Sequence, residues 1–179
     1  MQLVPAESGN SKKDHLRGQI RALRSGNRVT ILDTLQEIRA ESSTSILPEL
    51  FNLLLEQEDE EILREISSLL NDLKIQEAAQ ILAEAIENPE YQPIITILLA
   101  ACWQNGLSYG KYADTFARVA IRAEFAAAIE AFTVLEEAVG EIEKEDRERL
   151  SVMIKHGLSE ADEQKKLLLR ELVKVIETY

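Results

Sequence analysis

Six cations fall close together near the start of this chain: Lys12, Lys13, Arg17, Arg21, Arg24 and Arg28, with Asp14 as the one acid among them. Arg17, Arg21, Arg24 and Arg28 recur at intervals of four, three and four. That spacing lines the first three along one helix face and carries the fourth past the next turn. Guanidinium groups grip oxyanions with two parallel hydrogen bonds, so such a stripe suits phosphates or an acidic protein tail. The plainer reading is a solvated outer face on a terminal repeat. A second candidate is Trp103, followed by Gln104 and Asn105 at a helix end. A tryptophan there is either an interface anchor or a core aromatic whose N–H reaches a loop carbonyl. The candidate partner-binding residues are therefore Arg17, Arg21, Arg24, Arg28, Trp103 and Gln104.

Other reactive residue types do not assemble into catalytic chemistry. Cys102 is the single cysteine and sits among Ala100, Ala101 and Trp103, a setting for a small core residue. A lone cysteine forms no intramolecular disulfide and suits a reducing compartment. His15 lies inside the basic segment and His156 stands beside Gly157; neither belongs to His-Glu-x-x-His. Acidic clusters at 56–61 and 141–148 lack the Asp-x-Asp-x-Asp-Gly pattern of a calcium loop. Their Glu60–Arg64 and Glu143–Arg147 spacings instead predict pairs on helix surfaces. Gly106-Leu107-Ser108-Tyr109-Gly110-Lys111 has one residue too few between its glycines for a phosphate loop, and Tyr112 stands where Ser or Thr is needed. We expect no catalytic set, no metal and no cofactor.

The elements that would position these residues are helical. Of 179 residues, 45% are hydrophobic, with only seven Gly and four Pro, and Leu, Ile, Ala, Glu, Lys and Arg dominate. Straight-chain residues lose little rotamer freedom in a helix. The net charge is −12, from 32 acids against 20 bases, so the surface repels nucleic acid and anionic membranes unless its bases are segregated. No apolar run reaches the roughly 20 residues of a membrane span, and the first residues lack the pattern of a signal peptide. Cytoplasmic is the resulting expectation.

Residues 1–10 read as a flexible tail and 11–179 as one domain. Periodicity predicts helices near 12–24, 28–39, 46–56, 62–73, 76–87, 93–104, 111–122, 125–139, 144–156 and from about 162 to the end. Ser45 is expected to cap the third and Ser159 with Asp162 the last, whose buried face reads as Leu168, Leu172, Val175 and Ile176. No Gly or Pro separates the seventh from the eighth, so residues 111–139 are either two helices or one bent one. Paired in order, these make about five hairpins spaced 31 to 34 residues apart, each too small to bury its own apolar face. The fold expected is an all-α, right-handed α-solenoid of stacked antiparallel hairpins.

The stretch Leu47-Pro48-Glu49-Leu50-Phe51-Asn52-Leu53-Leu54, an acidic elbow, then Ile62, Arg64, Ile66, Leu70 and Leu73 resembles one HEAT repeat. Glu58 and Arg64 stand six apart, as that family's elbow acid and base do, although Arg64 follows Ile62 by two positions. Cys102-Trp103-Gln104-Asn105-Gly106-Leu107, with Glu130-Ala131-Phe132-Thr133-Val134-Leu135-Glu136, is similar to HEAT-repeat proteins of Bacteroidota. The resemblance implies a curved stack used as a scaffold or partner-binding platform, and fold alone does not fix function. Iron-binding hydroxylases with such repeats use His-Glu pairs, which His15 and His156 do not supply. The expected function is a non-enzymatic protein-interaction module, monomeric or weakly self-associating, with an unidentified protein partner. The alternatives are nucleic-acid binding through the arginine stripe, which the acidity of the remaining chain opposes, and a subunit of a HEAT-like lyase.

Overall fold

Short amphipathic stretches separated by polar turns fold as ten α-helices in the computed structural model of the chain, which describes residues 8–41 and 43–179. The helices are α1 (Ser8–Leu23), α2 (Arg28–Glu41), α3 (Leu47–Glu56), α4 (Glu60–Asn71), α5 (Glu77–Glu87), α6 (Ile95–Asn105), α7 (Ala113–Arg122), α8 (Phe125–Ala138), α9 (Lys144–Gly157) and α10 (Glu163–Thr178). Three short 3₁₀ turns lead into α6 (Pro89–Ile94) and α7 (Gly110–Tyr112) and follow α8 (Val139–Glu141). The described residues contain no strand, so the all-α expectation holds. Of the expected tail, residues 1–7 lie outside the described residues, while Ser8, Gly9 and Asn10 already belong to α1. The chain divides into two compact units, Met1–Leu69 and Leu70–Tyr179.

In the first unit α1 packs on α2. Leu23, Ile31, Leu35, Leu47, Leu50, Phe51, Ile62 and Ile66 are buried there. Gly26, at φ 69°, supplies the left-handed residue that ends α1. Asn27 then accepts from the Thr30 amide (3.0 Å) and caps α2. Pro48 stands in the first turn of α3 as expected, but Ser45 is not its cap. The residue ahead of that helix is Ile46, whose side chain cannot accept, and Thr44 offers its carbonyl to Leu47 N instead. The acidic elbow is a cap: Asp59 Oδ1 accepts from the amides of Glu61 (2.9 Å) and Ile62 (3.2 Å).

In the second unit α5 packs on α6, α7 on α8 and α9 on α10, while α8 also meets α6 and α10 and α7 also meets α5 and α9. Ala78, Ala101, Ala117, Ala128 and Ala131 are buried at these crossings, small enough to let helices approach closely. Tyr109 and Phe116 meet edge to face, centroids 5.6 Å apart.

Residues 111–139 form two helices. Ala123 and Glu124 adopt extended backbone (ψ 168° and 156°) at negative φ open to any residue, so neither Gly nor Pro is needed. Lys165 secures the break from afar, its ammonium donating to the Ile121 and Ala123 carbonyls at the end of α7. Asp162 caps α10 by accepting from Lys165 N (2.8 Å), whereas Ser159 donates to the His156 carbonyl and is no cap. The buried face of α10 is Leu169, Leu172, Val173 and Ile176, rotated from the expected one because Leu168 and Val175 remain partly exposed.

Some side-chain bonds join residues a little over thirty positions apart, made by Arg28 alone in the first unit and by several residues in the second. Arg28 reaches Asp59 and Glu61, Lys74 the Asn105 carbonyl, and Gln76 both Ser108 N and Ser108 O. Further along, Arg118 reaches Glu87, Glu141 holds Ser108 and Gly110, and Arg149 meets Asp114. These separations run from 31 to 35 residues.

A Cβ at Gly110 would sit 2.8 Å from Glu141 Cβ and 3.1 Å from its carbonyl oxygen, whereas one at Gly18 meets nothing within 4 Å. Gly110→Ala is expected to cost about 1–3 kcal/mol by overpacking. Gly18→Ala, inside α1, is expected to stabilise by about 0.5–1 kcal/mol. Thermal unfolding of the two variants checks the opposite signs. The Arg118 guanidinium beside Glu87, helped by the Thr115 hydroxyl, holds the Glu87 carboxyl below the usual range against the opposing effect of burial. Its stabilisation is present above the ordinary carboxylate pKa and is lost as pH falls through the lowered one. Glu87→Gln is therefore expected to flatten the acid limb of a stability–pH curve; an unchanged limb counts against this assignment.

Candidate functional site

The arginine stripe is divided by the fold. Arg24 leans onto α3 and donates through Nε (2.5 Å) and Nη2 (2.6 Å) to the two carboxylate oxygens of Glu49. The Glu49 side chain is only 11% exposed, so this bidentate pair satisfies an almost buried charge. Hydrogen bonding to Glu49, reinforced by its charge, raises the Arg24 pKa further, so the guanidinium is a fixed cation. Arg28 is held by Asp59 (2.9 Å) and Glu61. Arg17 makes only a long contact with Asp14 (3.5 Å) on its own helix. Arg21, Lys12 and Lys13 are exposed, without a side-chain partner among the described residues. Sequence reasoning missed Glu49, whose signal was an acid in the first turn of an otherwise apolar helix. A groove of about 510 Å³ opens beside the pair, bordered by Gly26, Asn52, Glu56 and Gln57.

Trp103 lies on the surface, 39% exposed, near the end of α6. Its indole N–H donates to Glu130 Oε2 on α8 (2.7 Å), not to the loop carbonyl expected of a core tryptophan. The adjacent Gln104 accepts from the Asn71 amide (2.7 Å), which ties the end of α4 to the end of α6. Beyond Trp103 is a pit of about 130 Å³ bordered by Gly106, Leu107, Val134, Glu137 and Glu141. The fold thus joins Trp103 to the α8 residues Glu130, Val134 and Glu137, 27 to 34 positions away.

The remaining reactive groups are accounted for. Cys102 is 1% exposed, and burial pushes its thiol up to about 12, against a small opposing effect of the Tyr109 hydroxyl, so no thiolate forms at neutral pH. Burial likewise raises the Tyr109 phenol, which accepts from Asn105 Nδ2 at 3.0 Å. Three amides of the Gly106–Lys111 loop are already engaged within the fold. Leu107 N donates to Asn105 Oδ1, Ser108 N to Gln76 and Gly110 N to Glu141, each at 3.0 Å. His15 Nε2 lies 2.7 Å from Glu41 Oε1, and His156 is exposed. Among the described residues no group of three His, Cys, Asp or Glu could hold a metal ion, and no helix is long and apolar enough to cross a membrane. Arg64 pairs with Glu60 (3.5 Å), as its spacing predicted, and not with Glu58. The expected Glu143–Arg147 pair does not form; Arg147 donates to the Ile142 (2.6 Å) and Tyr179 (3.0 Å) carbonyls instead.

The Arg24–Glu49 pair makes an ordering testable. Arg24→Met leaves an almost buried carboxylate without its cation, whereas Glu49→Leu removes that charge and frees an exposed arginine. Thermal unfolding at pH 7 is expected to place Arg24→Met below Glu49→Leu, and the reverse order would refute the pairing as the stabilising contact.

No protein-family model matches this chain, and no curated protein is significantly similar to it.

Proposed function

We propose that this chain is a non-enzymatic interaction module, a HEAT-like α-solenoid that binds a macromolecular partner through its helical surface. The repeat reading draws support from the side-chain bonds at separations of 31 to 35 residues that recur in the second unit and that Arg28 makes in the first. The observation that carries the binding role is Trp103. An indole 39% exposed, with its N–H fixed by Glu130, presents a pre-oriented apolar face of the kind that anchors interfaces. The nucleic-acid alternative is weakened, since Arg24 and Arg28 are already neutralised by Glu49, Asp59 and Glu61. A chain of −12 net charge then offers phosphates little. With one buried cysteine the module suits the cytoplasm, where we place it.

Affinity capture from native lysate with the tagged full chain tests this reading. The wild type is expected to retain a defined protein that Trp103→Ala loses, while the far-UV spectrum and melting temperature of the variant stay within about two degrees, as for a surface substitution. Capture of nothing specific by the wild type, or equal capture by both forms, overturns it.

A further inference from the structure

Positive charge gathers without answering acids on the outer face of α1. Arg24 and Arg28 are met by Glu49, Asp59 and Glu61, and Arg39 and Arg64 of the same unit by Glu65 and Glu60. Lys12, Lys13 and Arg21 are exposed with no ion pair among the described residues, and Arg17 has only its 3.5 Å contact with Asp14. Glu41, the carboxylate that α2 brings to this helix, is held through both oxygens by His15 Nε2 (2.7 Å) and Gln19 Nε2 (3.0 Å). Elsewhere the described cations with neither ion pair nor side-chain hydrogen bond are Lys111, Arg122 and Arg170, single residues before α7, at its end and on α10. Lys13, Arg17 and Arg21 recur every four residues, so they follow one face of α1 and rise about 6 Å per step. An extended chain advances about 6.6–6.8 Å over two residues and points alternate side chains the same way. Carboxylates at every second position of such a chain therefore meet the three cations in turn. Lys12 and Lys13 also border a groove of about 660 Å³ with Leu16, Ser43 and Ser45, which gives the chain room to seat a side chain.

Resting on the interaction reading above, we propose that Lys13, Arg17 and Arg21 dock an extended acidic segment of the partner protein, its carboxylates at alternate positions. Charge complementarity and spacing select this occupant, and the guanidinium groups can each take a carboxylate with two parallel hydrogen bonds. A long nucleic acid gains at most four phosphate contacts on α1 and runs on past them beside a chain of −12 net charge. A short acidic segment ends where the cations end, and charges beyond a screening length of about 8–10 Å oppose it little.

The test titrates the ¹⁵N-labelled full chain at low salt with acetyl-Glu-Gly-Glu-Gly-Glu-Gly-Glu-amide and follows the backbone amide shifts. The same peptide with glutamine for glutamate, and oligothymidylate of equal charge, serve as comparisons. Saturable shifts centred on α1 are expected with the glutamate peptide, absent with glutamine and weaker with the oligonucleotide. Affinity should fall about three-fold or more in Lys13→Gln/Arg17→Gln and stay unchanged in Arg122→Gln, with the melting temperatures of all forms alike. No saturable shift, shifts centred outside α1, undiminished affinity in Lys13→Gln/Arg17→Gln, or tighter binding of the oligonucleotide would each overturn the proposal. So would α1 shifts that grow with protein concentration alone, which assign this face to a second copy of the chain. In lysate capture, a partner lost by Trp103→Ala but retained by Lys13→Gln/Arg17→Gln sinks this inference and leaves the interaction module standing. Peptide binding with no lysate partner does the reverse.

Discussion

Among the described residues, all helices but α1 and α10 are so short that they depend on the apolar face a neighbouring helix covers. The longest are the 16 residues of α1 and α10, and α3 and α7 have ten. Isolated helices below about 12–15 residues are marginal in water, and packing supplies what local propensity cannot. Burial of Leu50, Phe51, Leu82, Leu99 and Phe116 provides that packing without direction. Direction comes from the polar groups buried alongside. Thr115 donates to Glu87 (3.0 Å), Ser151 to Glu177 (2.6 Å), and Glu49 accepts from Arg24. A buried polar group with no partner costs about 1–3 kcal/mol, so each bond penalises a slip of one helix along another. No buried side-chain nitrogen or oxygen among the described residues is left without one.

The same requirement decides what the surface charges are free to do. A stripe of arginines on one helix face looks like an anion grip until the acids one element away are in place. Arg24 and Arg28 then become ties holding α3 and the start of α4, and what remains open on α1 is Arg17, Arg21 and the two lysines. Exposed pairs contribute little to stability, but a fork on a nearly buried carboxylate fixes geometry.

Helix positions were legible in the sequence because apolar residues recur every three to four positions and Gly26, Pro48 and Gly106 mark ends by backbone chemistry. The division between α7 and α8 was not. Extended φ and ψ are open to any residue, and the lysine that caps α7 lies 42 residues downstream of Ala123. The face of α10 was misjudged because four successive positions, Lys166 to Leu169, offer three leucines, and the neighbour decides which of them is buried. Cys102 was read correctly, since an apolar flank and the absence of a nearby base are local facts. The fates of Arg24, Arg28 and Trp103 were not local: their partners lie 25 to 33 residues away.

Trp103 shows how position inside an apolar run can mislead. The stretch from Ile94 to Trp103 is nearly continuous in hydrophobic residues, and on pattern alone its last member belongs to the core. Yet α6 buries Leu98, Leu99, Ala101 and Cys102, which leaves position 103 on the outward side of the last turn. A valine or leucine there would only decorate the surface. An indole can also donate, and Glu130 accepts, so the ring is held against α8 in one orientation. Holding it commits one carboxylate oxygen of Glu130, so the orientation of the ring depends on an acid 27 residues along the chain.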